Sequence, residues 1–196
     1  MKLAKTLWSA GSVLVNFTII IYIFLSSNAP LDPVDRHHYL NEHWSVYAAH
    51  WKAEFLFMTM IAIGAFYFSL KTQKISWAII TLGQGLLLIT YPIMLGGFRN
   101  TSFELSEMSN QMALILFVFG NIVFLSGLFC LYLHDQILAP WLSKTGAVLS
   151  LITGIAFVLV FMGWLEWREA LVIAPLMNVL YLLNAFYGLK LRIEKK

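Results

Sequence analysis

The chain has 196 residues, of which 60% are hydrophobic and 12% charged, with a mean hydropathy of +0.76 and a formal net charge of +3. Soluble domains run at ~45–50% apolar and ~25% charged residues, so this composition excludes a water-soluble globule and places the chain in a bilayer. The positive charge tracks membrane topology and gives no reason to expect a nucleic-acid partner. The lone Cys130 rules out an intrachain disulfide and any cysteine-based zinc or redox motif.

A bilayer core of ~30 Å takes about 20 helical residues per crossing. Six windows supply them: 7–28, 52–70, 75–97, 111–133, 145–164 and 170–190. The first, after MKLAK and ending in Ser27-Asn28-Ala29, imitates a cleavable leader. Its apolar run from Leu7 to Leu25 exceeds the ~7–15 residues of a signal core, and Pro30 would follow the cut, so it reads as a retained span. The loop 29–51 starts extended at Pro30 and Pro33. From Asp35 or Asn41, both good N-caps, a helix is expected to run into the second span. The short KTQK turn makes the second and third spans antiparallel neighbours. Gly83, Gly85, Pro92, Gly96 and Gly97 predict a bend or partial unwinding in the third. GWLEWREA leaves only a tight turn between the fifth and sixth. Every span is expected to be helical, because backbone in lipid must satisfy its own hydrogen bonds. The predicted fold is therefore an all-α integral membrane bundle of six transmembrane helices in a single domain, residues 1–196.

Orientation follows from the bases. With the N-terminus in the cytoplasm, the inner side carries Lys2, Lys5, Lys71, Lys74, Lys144, Lys190, Arg192, Lys195 and Lys196. The outer side keeps Arg36, Lys52, Arg99 and Arg168. Both termini are thus expected to be cytoplasmic. The acids show the reverse distribution, with Asp135 and Glu194 alone on the inner side, and four of the five histidines lie outside. Acids contribute little to topology rules, so this outward gathering is separate information, and chemistry is expected on the outer face.

The stretch HWSVYAAHWKAEF places His43, Tyr47, His50 and Glu54 along one side of a helix turning ~100° per residue. Histidines with a carboxylate suit zinc, iron or copper, but the spacing lacks the H-E-x-x-H pattern. Trp44, Tyr47 and Trp51 also fit an interfacial aromatic belt. An unpartnered carboxylate one turn inside a span is costly. Glu54 is therefore predicted to face the bundle interior and pair with Arg99 or another outer polar group, with His50 above it and His43 in solvent. No metal ligand set and no cofactor is assigned. Deeper, Asn16, Gln84, Asn121 and Asn178 sit near the midpoints of four spans. Such amides can line a cavity for a neutral ligand, but more often hydrogen-bond between helices, and that structural role is the expectation. Gly146, Ser150 and Gly154 form a small-xxx-small stripe for close helix packing, inside the bundle or in a homo-oligomer.

At LYLHDQILAPWLSKTGAVLSLITG, residues 131–154, the chain resembles bacterial multi-span proteins of the domain-of-unknown-function 4386 type, in which a short basic, proline-containing inner loop leads into a glycine-rich helix. The resemblance implies a bacterial plasma-membrane bundle. It carries no activity and no functional residues. The favoured function is non-enzymatic: a small multi-pass plasma-membrane binding, sensing or accessory protein, offering an outward polar pocket to a small ligand or a membrane partner. The rivals are an outer-leaflet enzyme, metal-dependent or not, using His43, His50 and Glu54, and a facilitator for a small neutral solute through the amide layer.

Overall fold

The computed structural model describes residues 2–99 and 102–191, the side chains of residues 168, 170 and 171 excepted. The bases at 192, 195 and 196 that entered the orientation argument lie outside the described residues. The described backbone is helical, in the order α1 (Lys2–Asn28), α2 (Pro33–Glu42), α3 (Trp44–Thr72), α4 (Ile75–Gly97), α5 (Phe103–Leu133), α6 (Pro140–Phe161), α7 (Trp167–Ala170), a 3-10 turn (Leu171–Ile173) and α8 (Ala174–Lys190).

Local chemistry sets these boundaries. Asp32 caps α2 by accepting from the N–H groups of Val34 and Asp35 at 2.9 and 3.1 Å, with Pro33 in the first turn, where a missing N–H costs nothing. Neither Asp35 nor Asn41 starts a helix that runs into the second span. Instead the chain breaks at His43, and α3 begins at Trp44. Gln73 ends α3 in the left-handed region, φ 53°, and Gly163, at φ 72°, follows α6. Between α5 and α6, Asp135 accepts from the N–H groups of Ile137 and Leu138 and from the Ser143 hydroxyl at 2.6 Å, which folds that connection tightly. α4 is continuous helix from Ile75 to Gly97 with Pro92 inside it, where unwinding was expected.

Five helices, α1, α3, α4, α5 and α6, are long and apolar enough to cross a membrane, so the chain is a membrane protein built as a helical bundle. α8 falls short of the sixth window. The chain enters it through α7 and a 3-10 turn, and Pro175 occupies its first turn, leaving 17 residues. At 1.5 Å per residue that is ~25 Å, below the ~30 Å of a bilayer core.

Neighbours in the bundle follow chain order, α1–α3–α4–α5–α6–α8, and α8 returns against α1 to close a ring. Both described chain ends lie at one end of the bundle, since Trp8 Nε1 donates to the Asn184 carbonyl at 2.7 Å and Ser9 Oγ to that of Ala185 at 2.9 Å. This termini end is filled by aromatic packing: Trp8 stands edge-on to Trp77 at 5.0 Å, Phe68 packs on Trp77 at 4.8 Å, and Tyr187 and Tyr132 complete the cluster. α4 and α5 form the most extensive helix pair, and glycine makes it possible. A Cβ on Gly127 would stand 2.7 Å from the Ile80 backbone nitrogen, and one on Gly83 would run into the Phe124 backbone. The Gly146, Ser150, Gly154 stripe faces α5 within the bundle. Gly146 lies against the Tyr132 ring, Gly154 opposite Leu125, and Ser150 Oγ returns to the Gly146 carbonyl at 2.7 Å.

Candidate functional site

Packing is dense at the termini end and open at the other. A cavity of about 690 Å³ lies beneath α2 and is walled by the far halves of α1, α3, α4, α5 and α8, with Phe157 of α6 and Trp167 of α7. Its floor is Met58, Asn121 and Tyr181, and the Tyr181 hydroxyl points to the Met58 sulfur at 3.8 Å. Arg36 of α2 and Glu166, before α7, reach its rim. The volume falls in the ~300–1,000 Å³ range of small-molecule sites, which are mostly apolar with a few polar groups fixing orientation.

Aromatic side chains share the wall with aliphatic and methionine side chains. Trp51 packs edge-on to Phe98 at 5.5 Å, and Trp167 lies against Phe117 at 5.4 Å and Phe157 at 6.1 Å. The Tyr47 hydroxyl donates to the Leu25 carbonyl at 3.2 Å, tying α3 to the far end of α1. Arg36 closes the rim by donating from Nε to the Pro30 carbonyl at 3.2 Å and from Nη2 to that of Leu31 at 2.9 Å. Its guanidinium thereby fastens the connection before α2.

Within this apolar wall the carboxyl group is Glu54. Its side chain is 14% exposed, and its surroundings are neutral or weakly basic. Thr18 Oγ1 of α1 lies 3.5 Å from Oε1, Tyr91 of α4 borders the same cavity, and His50 Nε2 stands 3.6 Å from Oε2. His50–Glu54 is the one ion-pair geometry among the described residues, and at 3.6 Å it is too long for a hydrogen bond. His50 stacks on Tyr22 at 6.0 Å, and its Nε2 has no hydrogen-bond partner among the described residues.

The expected stripe is split. Tyr47, His50 and Glu54 share the inward side of α3. His43 does not, because it is the residue at which the backbone turns from α2 to α3. Its ring stacks on Tyr39 at 4.2 Å and its Nδ1 lies 2.9 Å from the Tyr39 carbonyl. Arg99, the expected partner of Glu54, is exposed beyond the end of α4 and forms no ion pair among the described residues. Among the described residues no group of three His, Cys, Asp or Glu side chains converges as an ion site would require.

The amides do not form one layer. Asn16 and Asn121 donate to carbonyls one turn back on their own helices, those of Ser12 at 3.0 Å and Phe117 at 2.9 Å. The Gln84 amide and Asn178 Oδ1 have no hydrogen-bond partner among the described residues. Only Asn121 borders the cavity. The amide that does join helices is Asn184, which accepts from the Tyr132 hydroxyl at 2.7 Å while its carbonyl takes the Trp8 indole.

Sequence reasoning missed Thr18, Tyr22, Arg36, Tyr91 and Trp167. Thr18 and Tyr22 sit four apart, one turn, in the apolar second half of α1, which is a readable polar stripe. Nothing in the chain order indicates that Tyr91 and Trp167 converge on it.

Compared with known proteins, the chain matches no family model, no curated protein and no solved structure.

Proposed function

We propose that the protein is a small multi-pass binding protein, sensing or accessory in role, that holds an amphipathic molecule in the cavity beneath α2. The observation that carries the reading is the cavity itself: about 690 Å³, mostly apolar in its wall with aromatic side chains among it, and with one acid deep inside. A bundle needing only to persist in lipid would gain by filling such a space, because every cavity forfeits packing contacts. Keeping Glu54 there adds the cost of desolvating an acid. Both costs are offset when a ligand occupies the site.

The charge asymmetry orients the proposal. With the termini cytoplasmic, the cavity opens to the outer side of a plasma membrane, bacterial if the likeness over residues 131–154 holds. In this orientation α8, extended by the preceding turn, completes a sixth crossing. The rival metal-dependent enzyme gains no support from His43, which has left the stripe. The facilitator gains none from Asn16, Gln84 and Asn178, which do not border the cavity.

Native mass spectrometry of protein purified from its own membranes in mild detergent tests the reading. A small molecule should be retained by the wild type and lost in Ala113→Phe and Ala174→Phe, each of which places a ring in the cavity. If these variants retain the same adduct as the wild type, the molecule is bound elsewhere and the cavity is not the site.

A further inference from the structure

Resting on the cavity as a binding site, we infer the class of ligand: an organic cation, a positively charged nitrogen on an apolar or aromatic body, with the nitrogen held at Glu54 in a ring of aromatic faces. Three observations converge on this class.

The first is the acid. Glu54 lines the cavity wall, is largely buried, and has no Lys or Arg partner among the described residues. Its near neighbours are Thr18 Oγ1 at 3.5 Å, whose hydroxyl also donates to the Val15 carbonyl at 2.8 Å, and an imidazole nitrogen at 3.6 Å. Neither supplies a fixed positive charge. An anionic ligand would face repulsion there. A neutral hydrogen-bond donor would use the carboxyl but leave its charge uncompensated, whereas a cation satisfies both.

The second is the wall. Tyr22, Trp51, Tyr91, Phe117, Trp167 and Tyr181 all border the cavity, and aromatic faces attract cations while accepting apolar bodies. An aliphatic wall would hold the body but do nothing for the charge.

The third is the rim. Of the two opposite charges there, Arg36 has two of its donors committed to the carbonyls of Pro30 and Leu31, which makes it a clasp for the loop before α2. Glu166 adds a second negative charge along the approach. Among the described lining residues the acids therefore outnumber the base along the path from rim to floor, and their field favours entry of a cation.

Three probes of similar size and different charge test the inference by calorimetric titration into wild-type protein in nanodiscs, with empty nanodiscs as the blank: benzyltrimethylammonium, benzyl alcohol and phenylacetate. The cation should bind at least about tenfold more tightly than the alcohol, and phenylacetate most weakly. Glu54→Gln should erase the cation's advantage while benzyl alcohol still binds. If the alcohol binds and the cation binds no better, or if Glu54→Gln keeps the preference, the ligand class is wrong while the cavity remains a binding site. If none of the three binds the wild type, both the ligand class and the binding reading fail. Should Glu54→Gln not fold, the ranking of the three probes on the wild type decides.

Discussion

Replacing Gly127 with alanine should weaken the bundle at its tightest seam. The added methyl would sit 2.7 Å from both the Ile80 backbone nitrogen and its Cγ1, and 3.0 Å from the Ser76 carbonyl oxygen. Backbone cannot swing away as a side-chain tip can, so α4 and α5 must separate. Restoring an ordinary ~3.4 Å contact requires an opening of about 0.7 Å, and a gap of that order forfeits roughly a quarter to a half of the dispersion energy of the atom pairs it separates. Overpacking of this kind costs ~1–3 kcal/mol. Gly85, on the same helix as Ile80, is the control, because a Cβ there meets nothing within 4 Å. Gly85→Ala should be neutral or gain up to ~1 kcal/mol from reduced backbone freedom. The two variants should therefore differ by about 1–4 kcal/mol in reversible unfolding by SDS titration from mixed micelles, followed by tryptophan fluorescence. Gly83→Ala presses on Phe124 across the same seam, so the double variant with Gly127→Ala should cost less than the sum of the singles: one separation relieves both contacts. If Gly127→Ala and Gly85→Ala unfold within about 0.5 kcal/mol of each other, the close approach of α4 and α5 is wrong.

Other tests address the remaining polar groups and the orientation. Tyr132→Phe keeps the ring against Gly146 and Tyr187 but deletes the 2.7 Å bond to Asn184, whose Nδ2 already has no hydrogen-bond partner among the described residues. A loss of about 1–2 kcal/mol in the same titration is expected, and an unchanged midpoint would remove Asn184 as the link between α5 and α8. Asn121→Leu should change stability by less than ~0.6 kcal/mol, below an average interhelical bond, because Asn121 donates to its own helix. A larger loss would show that it bonds across helices after all. For orientation, in a Cys130→Ser background, cysteines placed at Asn41 or Ser102 should react with a membrane-impermeant maleimide on intact cells, and cysteines at Lys71 or Lys144 should not. The reverse pattern would turn the cavity toward the cytoplasm.

Hydropathy located the membrane-crossing helices because lipid imposes apolar length, but it measures bilayer thickness and not helix length. The second window, 52–70, became Trp44–Thr72, and the fourth, 111–133, became Phe103–Leu133, because both helices continue past the apolar region into polar sequence. The third coincided with Ile75–Gly97, where the KTQK turn and the glycine pair stop helix and apolar run together. The sixth, 170–190, takes in the end of α7 and the 3-10 turn before α8 starts at Ala174. Pro175 lacks an N–H and restricts the residue before it, so a first-turn proline near residue 174 was a legible start signal. The same signal lay in Asp32-Pro33, an N-cap followed by proline, which begins α2 ahead of the positions expected.

The site was legible only along one helix at a time. Periodicity put Tyr47, His50 and Glu54 on a common face of α3, and the cost of an unpartnered acid in lipid predicted that the face turns inward. The same periodicity also enrolled His43, because a helix break at the junction of α2 and α3 leaves no trace in angular spacing. Arg99, or another outer polar group, was expected as partner because a buried acid is costly alone and the KTQK turn makes the span ending at Arg99 a neighbour of the second. The structure offers a different solution. A hydroxyl from α1 approaches the carboxyl, an imidazole stands just beyond bonding distance, and no Lys or Arg pairs with it among the described residues. Thr18 and Tyr91 come from α1 and α4, the two helices that flank α3, so their approach to Glu54's side of α3 depends on which faces these neighbours turn inward as the ring closes. A sequence read span by span cannot contain that closure. On the proposed reading, the positive charge that the described residues do not bring to Glu54 comes with the ligand, and the cavity is large enough to admit one.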